Sequence, residues 1–202
     1  TPKGPFPYVG LRTDDPNDLI PHEHRRELRG LRVIASWINH WDLKELNTLD
    51  MYVDEGGRKF LRHYLIDFGS TLGSGSTGVQ KYRAGWEYLW EPAAAFERIL
   101  TFGLWDRKWD RVPYREYPSI GRIEADYFEP EAWEPEYPNP AFSNMQKDDG
   151  YWAAKIVMAF SDEDIRAIVK TGQLSDPEAE EYLIQTLIGR RDKIGRRWLG
   201  RM

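Results

Sequence analysis

Two short stretches of the sequence carry side chains whose types and spacing suit phosphoryl transfer. Residues 40–47 read His-Trp-Asp-Leu-Lys-Glu-Leu-Asn, so that Lys44 follows Asp42 by two residues and Asn47 follows it by five. Further along the chain, Asp67 opens the tripeptide Asp-Phe-Gly. Phosphoryl transfer uses a carboxylate that accepts the proton of the attacking hydroxyl, a cation near the moving group, and oxygen ligands for magnesium. The two stretches together supply each of these groups.

The elements around these stretches follow from the hydrophobic pattern. Apolar residues at three- and four-residue steps predict a helix over about 21–39. The polar stretch after it predicts a loop. Two strands, Thr48 to Asp54 and Lys59 to Asp67, are joined at Glu55-Gly56-Gly57-Arg58, where paired glycines favour a tight turn. The expected order is therefore helix, loop, hairpin and Asp-Phe-Gly.

The two motifs resemble those of the protein-kinase-like fold, whose catalytic loop reads His-Arg-Asp-Leu-Lys-x-x-Asn and whose metal loop reads Asp-Phe-Gly. The positions that match the catalytic loop are His40, Asp42, Leu43, Lys44 and Asn47. Trp41 stands where the family usually has Arg, a residue that commonly pairs with an activation-loop phosphate. This departure indicates that the chain is not regulated by an activation-loop phosphate that pairs with this Arg.

The resemblance implies a role for each candidate residue. Asp42 would be the catalytic base and Lys44 a phosphate contact. Asn47 and Asp67 would be the magnesium ligands and, with Gly69, would lie at the bound ATP. The implied cofactors are thus Mg and ATP, and either motif alone would be a weak signal.

Within kinase-like proteins, the chain looks closer to atypical bacterial members, such as the spore-coat CotH kinases and the HipA toxin kinases, than to the eukaryotic enzymes. It looks most like a group of uncharacterised bacterial proteins with similar sequences at 21–32, 63–74 and 190–195. These relatives have no established activity to carry over.

The N-lobe of a kinase, which binds ATP, has no counterpart in the sequence. That lobe needs a Gly-rich strand turn, a strand Lys and a helix Glu, yet only 41 residues precede Asp42. We therefore expect a C-lobe-like domain over 21–202, an extended connector over 1–20, and an N-lobe segment or another protein chain as partner. The alternative is a non-catalytic binding or assembly subunit without nucleotide chemistry.

The C-terminal third predicts three helices, Tyr151 to Phe160, Ser161 to Lys170, and from Ser175 to about Leu199. Ser161 suits the N-cap of the second, with Asp164 as a capping-box partner. The expected fold class is a mainly helical α+β fold, resembling a kinase C-lobe, with a helix before the catalytic loop, a small β-hairpin and a helical C-terminal half.

Composition excludes several classes of function. The chain has 202 residues and a formal charge of -5, so no overall basic field favours nucleic acid. No apolar run reaches the roughly 18 residues of a membrane span. The absence of cysteine excludes disulfides, zinc–thiolate sites and a cysteine nucleophile. A soluble protein is expected, and the compartment, bacterial cytoplasm or exported, stays open.

Other patterns favour structural roles. Residues 69–78 are almost wholly Gly, Ser and Thr and predict a mobile or ligand-ordered loop. Within them, residues 73–78 spell Gly-x-Gly-x-x-Gly but lack the strand and helix of a dinucleotide site. His22 and His24 are expected to be solvated or capping, and His63 a structural histidine on a strand. The basic residues near the C-terminus are expected to keep one helix face in water; they are Arg190, Arg191, Lys193, Arg196, Arg197 and Arg201.

Overall fold

The computed structural model describes residues 1–101 and 106–200 and has an α+β architecture in which helices predominate. Its sheet has three antiparallel strands in the order β1-β2-β3. The strands are β1 (Pro2–Gly4), β2 (Thr48–Glu55) and β3 (Arg58–Leu65). The helices are α1 (Arg26–Ile38), α2 (Pro92–Leu100), α3 (Pro140–Ser143), α4 (Lys147–Met158), α5 (Asp162–Lys170) and α6 (Pro177–Trp198). The predicted α+β class, the hairpin and the helical C-terminal part are confirmed.

The core lies between α1, α4 and α6. Val33, Ala35 and Trp37 of α1 are buried against Ala153, Ala154 and Val157 of α4 and Ile184, Leu187 and Ile194 of α6. The apolar stripe of α1, repeated at three- and four-residue steps, therefore faces the other two helices, as its spacing predicts. None of the described helices is both long and apolar enough to cross a membrane.

Two glycines let these helices pack closely on tryptophan rings. A Cβ added at Gly30 of α1 would lie 2.8 Å from ring atoms of Trp152, and one added at Gly150 of α4 would lie 2.6 Å from the ring of Trp198. Each glycine gives up some helix propensity. In return, the indole rings lie directly on the helix backbone.

The N-terminal segment, predicted as a connector, is packed onto the rest of the fold. Its residues 2–4 form β1, which pairs with β2. Phe6 and Tyr8 are 5% and 4% exposed and belong to the hydrophobic core. The Phe6 backbone amide donates to Thr48 Oγ1 at 2.7 Å. The segment thus covers one edge of the hairpin.

Candidate functional site

The helix before the candidate loop ends in a fixed geometry. Asn39 follows α1 in the left-handed conformation, with φ 50° and ψ 46°, which asparagine tolerates better than most residues. Its side-chain amide donates to Gln80 Oε1 at 2.7 Å, and its Oδ1 accepts from the indole of Trp133 at 2.7 Å. All three side chains are buried, so Gln80 and Trp133 together fix the position of Asn39 at the end of α1.

Arg190 of α6 binds the carbonyl groups at the end of α1. Its guanidinium donates to the backbone oxygens of Ser36, Trp37 and Glu124 at 2.5, 2.9 and 2.8 Å. Helix C-termini leave such carbonyls without intrahelical partners. Burial lowers the pKa of Arg190 to about 10, which leaves it charged at neutral pH. The prediction that Arg190 lies on a wet face is wrong, because its partners are backbone groups of distant segments.

The other members of that basic group have mixed surroundings. Arg191 is also buried and pairs with Asp162 at 2.6 Å, whereas Lys193 donates to the backbone oxygen of Phe128 at 3.2 Å. Arg197 pairs with Glu131. Arg201 lies outside the described residues.

The β2–β3 hairpin brings the two sequence motifs together. Thr48 pairs with Leu65 in the antiparallel register, so the residues just outside the pair, Asn47 and Ile66, are neighbours. The Ile66 amide donates to the Asn47 carbonyl at 2.9 Å. Asp67, the next residue after Ile66, therefore lies close to Asn47, the last residue of the loop that begins at His40.

A second backbone contact ties the start of the loop to the Asp-Phe-Gly segment. The Trp41 amide donates to the carbonyl of Ser70 at 3.2 Å. The rings of His40 and Phe68 are stacked, with centroids 5.1 Å apart and planes at 26°. His40 is only 1% exposed, and burial lowers its pKa, so its ring is neutral near pH 7.

The predicted catalytic and binding side chains of the loop contact one another. The Asn47 side-chain amide donates to the Asp42 backbone carbonyl at 2.8 Å. Lys44 Nζ lies 2.8 Å from Asp42 Oδ1, and this partner raises the pKa of Lys44. Asn47 is buried, whereas the Asp42 side chain is 17% exposed and that of Lys44 is 37% exposed. Asp42 is therefore held within the loop but still open to solvent.

Asp67 has an unusual backbone conformation and an exposed side chain. Its φ of 59° and ψ of 71° lie in the left-handed region, which is costly for most non-glycine residues. Its Oδ1 accepts from the backbone amide of Gly69 at 3.3 Å. This turn directs the chain from β3 into the short helical turn Phe68–Ser70.

The glycine-rich loop after Asp67 is tightly folded. Gly75 and Gly78 are joined by a backbone hydrogen bond of 2.7 Å, and the Ser76 amide donates to the Gly69 carbonyl at 3.0 Å. A Cβ at Gly69 would lie 2.7 Å from Ser76 Oγ. The loop predicted to be mobile or ligand-ordered thus has its own backbone hydrogen bonds and packs on the Asp-Phe-Gly turn.

Sequence reasoning missed one acid at this site. The Glu136 amide donates to the Trp41 carbonyl at 2.8 Å, which brings residues far apart in sequence together. Burial and a hydrogen bond shared with the Asp42 carboxyl raise the pKa of Glu136. The segment around Glu136 alternates acids, prolines and aromatics. This pattern predicts a segment that lies on the surface over the core, and it does not indicate a contact with Asp42.

The oxygen donors suit a magnesium ion that arrives with a nucleotide. Among the described residues, no group of three or more His, Cys, Asp or Glu side chains could hold a metal by itself. Asn47 and Asp67 nevertheless bring an amide and a carboxylate to neighbouring strand ends. Magnesium is usually bound by one or two such groups together with waters and substrate phosphates. The donor set fits that mode.

Two further histidines have polar partners within the fold, whereas His24 is exposed. His22 is buried and stacks on Phe6 with ring centroids 4.1 Å apart. Its Nδ1 donates to the Pro7 carbonyl, and its Nε2 lies 2.7 Å from an Asp18 carboxylate oxygen. The expectation that His22 is solvated or capping is therefore wrong. His63 Nδ1 lies 2.5 Å from Asp50 Oδ1, which agrees with the predicted structural role.

Comparison with protein-family models gives no match, and searches of curated proteins and of solved structures give none either.

Proposed function

We propose that this chain is the C-terminal lobe of a bacterial kinase-like protein, and that the longer parent protein carries out ATP- and magnesium-dependent phosphoryl transfer. Asp42 accepts the proton of the acceptor hydroxyl, and Lys44 contacts the transferred phosphoryl group. Asn47 and Asp67 hold magnesium, which neutralises charge on the phosphates when bound. Gly69 allows the close turn beside the nucleotide. An N-lobe segment or another protein chain completes the ATP site.

The observation that supports this proposal best is the pairing of the two motifs across the hairpin. Residues 42–47 and 67–69 are separate in sequence, yet the Ile66–Asn47 and Trp41–Ser70 hydrogen bonds bring their backbones together. Asp42, Lys44 and Asp67 are then close to one another at the surface, and the buried Asn47 lies directly beside them. Phosphoryl transfer depends mainly on such positioning and charge.

The outward face of the hairpin supports a nucleotide as the ligand of this region. Leu49 pairs with Tyr64, and Val53 pairs with Phe60, across the strands. Because side chains alternate along a strand, these four lie on the face opposite Thr48 and Asp50. Tyr64 is 41% exposed. The same face also carries Arg62, which pairs with Glu55 at 2.7 Å. Its apolar and aromatic side chains next to Asn47 are suited to a flat nucleobase whose phosphates reach the loop.

The test is magnesium-dependent ATP binding and ATP turnover by the full-length protein, with Asp67→Asn compared with Asp54→Asn. Asp54 is an exposed acid near the turn of the same hairpin and is the matched control. We expect Asp67→Asn to abolish the effect of magnesium and to lower turnover at least about 100-fold, whereas Asp54→Asn changes neither. Unchanged binding and turnover in Asp67→Asn would refute the proposal.

A second candidate function is a non-catalytic binding or assembly subunit. It is favoured by the apolar side chains that are exposed around the site, since Leu46 is 73% and Phe68 51% exposed. Exposed apolar groups in one region are typical of a surface that contacts a partner. This candidate predicts a stable complex that survives Asp42→Ala combined with Asp67→Ala, without nucleotide, and that is lost in Leu46→Glu. A strictly monomeric protein without partners in pull-downs would count against it.

A further inference from the structure

Strand β3 forms an open edge of the sheet. The strand order is β1-β2-β3, so β3 is paired on one side, by β2. The hydrogen bond from the Ile66 amide to the Asn47 carbonyl identifies these two residues as a hydrogen-bonded pair of the antiparallel ladder. Such pairs alternate with pairs whose backbone groups point away from the partner strand, and the register of the hairpin has no break. The residues of β3 whose N–H and C=O point away from β2 are therefore Lys59, Leu61, His63 and Leu65.

These outward-pointing backbone groups are available to another strand. Within the described residues, no other segment forms a backbone hydrogen bond with any of them. Natural edge strands are commonly protected by proline, a bulge, short length or charged side chains. Strand β3 has eight residues without a proline, and its second half, residues 63–65, carries no Lys or Arg. This half of the edge is thus unprotected.

A mostly apolar recess of about 430 Å³ lies beside the same half of the strand. Leu28 and Leu31 of α1 line one side of it, and His63 and Leu65 of β3 line the other. Tyr64, whose side chain alternates to the opposite face of the sheet, also borders the recess. Because β2 occupies the paired side of β3, a recess that touches residues of both faces lies along the free edge. A strand added there places alternate side chains into the recess.

The two ends of the edge favour different residues in an added strand. Near the turn, Lys59 is exposed, and its cross-strand neighbour in β2 is Asp54. An acid opposite Lys59 in an added strand would extend this row of alternating charge, since opposite charges stabilise cross-strand pairs. At the other end, Leu65 borders the recess, whose two charged residues, Arg25 and Glu27, have opposite signs. Apolar side chains are therefore favoured at that end.

A second copy of β3 would fit this edge poorly. The free backbone groups belong to alternate residues, so an antiparallel pairing over the whole edge sets Lys59 of one copy opposite Leu65 of the other. The lysine would then lie beside the apolar recess. The same register sets Arg62 of one copy directly opposite Arg62 of the other, and like charges in that position destabilise a sheet.

We propose that β3 binds an extended segment of another protein as an additional antiparallel strand, with apolar side chains in the recess beside Leu31 and an acid opposite Lys59. Main-chain hydrogen bonds to the edge supply affinity in this mode of recognition, and the recess selects the side chains. The proposal does not depend on phosphoryl transfer, since it uses neither Asp42 nor Asp67.

The test is an NMR titration of the 202-residue chain with the peptide Ac-Leu-Thr-Val-Thr-Val-Thr-Glu-NH2. Its seven residues span the edge from Leu65 to Lys59 in the antiparallel direction, with Leu at the recess and Glu at the lysine. We expect a Kd below about 1 mM. A second peptide, in which Lys replaces the Glu, should bind about fivefold more weakly because it loses one exposed ion pair and gains a like-charge pair.

Amide hydrogen exchange distinguishes an added strand from a peptide that merely lies in the recess. The amides of Leu61 and His63 should exchange at least about tenfold more slowly in the complex, because an added strand supplies their hydrogen-bond acceptors. The amides of Arg62 and Tyr64 already bond to β2 and should change much less. This alternation along one strand is the expected signature.

Three variants locate the contact. Leu61→Pro removes an edge donor that makes no hydrogen bond to β2, a position where proline is tolerated, and should abolish binding. Leu31→Trp fills the recess and should weaken binding at least about tenfold, as the loss of one buried apolar side chain predicts. Its control is Ile168→Trp, the same kind of change in the apolar groove beside α5, which should leave binding unchanged. The amide spectrum of each free variant shows whether it is folded.

A charge exchange tests the register. Lys59→Glu should weaken binding of the peptide that ends in Glu and should strengthen binding of the peptide that ends in Lys. Equal effects on the two peptides would contradict the assigned register.

Four outcomes would overturn the proposal. The first is the absence of binding by the peptide that ends in Glu. The second is binding without slower exchange at Leu61 and His63, and the third is full binding in folded Leu61→Pro or in Leu31→Trp. The fourth is a dimer in which the same two amides exchange slowly without peptide, which would assign the edge to a second copy of the chain.

Discussion

The side-chain amide of Asn47 donates a hydrogen bond to the backbone carbonyl of Asp42 across 2.8 Å. This contact spans the candidate catalytic loop from its last residue to its acid. The backbone carbonyl of the same residue accepts from the Ile66 amide at the start of the hairpin, so Asn47 links the conformation of the loop to the sheet. The amide oxygen of Asn47 remains as an acceptor.

Asn47→Ala should therefore loosen the loop as well as remove a donor. We expect the free energy of unfolding to fall by about 1–2 kcal/mol, since the Asp42 carbonyl loses its partner in a partly buried place. Urea unfolding measures this change. The matched control is Asn17→Ala on the exposed N-terminal turn, which should stay within about 0.5 kcal/mol of the wild type. Equal losses in the two variants would contradict a special role for the Asn47 contact.

The glycine-rich loop provides a second pair of variants. Gly73 has a φ of 79°, and an added Cβ would lie 2.3 Å from the backbone of Arg122. Gly73→Ala should cost about 3 kcal/mol, because the change combines backbone strain with a clash against a neighbouring segment. At Gly78, an added Cβ meets nothing within 4 Å. Gly78→Ala should stay within about 1 kcal/mol of the wild type.

Thermal and urea unfolding of these two glycine variants test whether the loop is folded as described. If Gly73→Ala is as stable as Gly78→Ala, residues 73 and 122 do not lie in contact. Such a result would favour the mobile loop that the composition predicts.

Local signals allowed much of the fold to be predicted. Ser161 and Asp164 form the expected capping box at the start of α5. Gly56 and Gly57 have φ values of 61° and 80°, as the hairpin turn requires. These features depend on residues close in sequence, so their patterns are visible in the sequence itself.

The parts that escaped prediction depend on distant contacts. Strand β1 has three residues, Pro-Lys-Gly, with neither alternation nor β-propensity, and it forms because β2 offers an edge. Arg190 is buried because carbonyls of α1 need donors. Glu136 lies at Asp42 because its backbone bonds to Trp41. No spacing rule connects such positions.

The ion pair between α1 and α4 predicts a loss of stability in acid. Asp149 is fully buried, with oxygens 2.6 and 2.9 Å from the Arg29 guanidinium. Burial favours the neutral acid, but the hydrogen bond and charge of Arg29 outweigh it and leave the pKa of Asp149 below its ordinary value. The ionised form is thus favoured by folding. This stabilisation is present above the unfolded pKa of about 4 and is lost as pH falls through the lower folded value.

Asp149→Asn should lower the free energy of unfolding by about 3 kcal/mol at pH 7, since Arg29 loses its charged partner. It should also reduce the fall in stability below about pH 4. The control is the neighbouring Asp148→Asn, whose carboxylate is 68% exposed and lies 3.6 Å from Arg26. Urea unfolding at pH 3, 4 and 7 measures these effects. A pH dependence in Asp149→Asn as steep as that of the wild type would refute the assignment.

The contact between Glu136 and Asp42 predicts the opposite pH dependence. Burial and the hydrogen bond to Asp42 raise the pKa of Glu136, so folding favours its protonated form. Its stabilising contribution is therefore complete below the unfolded pKa of about 4.3 and is lost as pH rises through the folded value. Glu136→Gln keeps a side-chain donor for Asp42 but carries no charge. We expect the variant to match the wild type near pH 4 and to be more stable by about 1 kcal/mol at pH 8.

Unfolding in urea at pH 4, 6 and 8 measures the stability difference between Glu136→Gln and the wild type. Glu129→Gln is the control, because Glu129 is an exposed acid of the same segment and should give a difference that does not change with pH. A difference that grows with pH only in Glu136→Gln shows that folding raises the pKa of Glu136, as its burial beside Asp42 predicts. If both variants behave alike, or if the Glu136→Gln difference shrinks as pH rises, folding does not raise the pKa of Glu136.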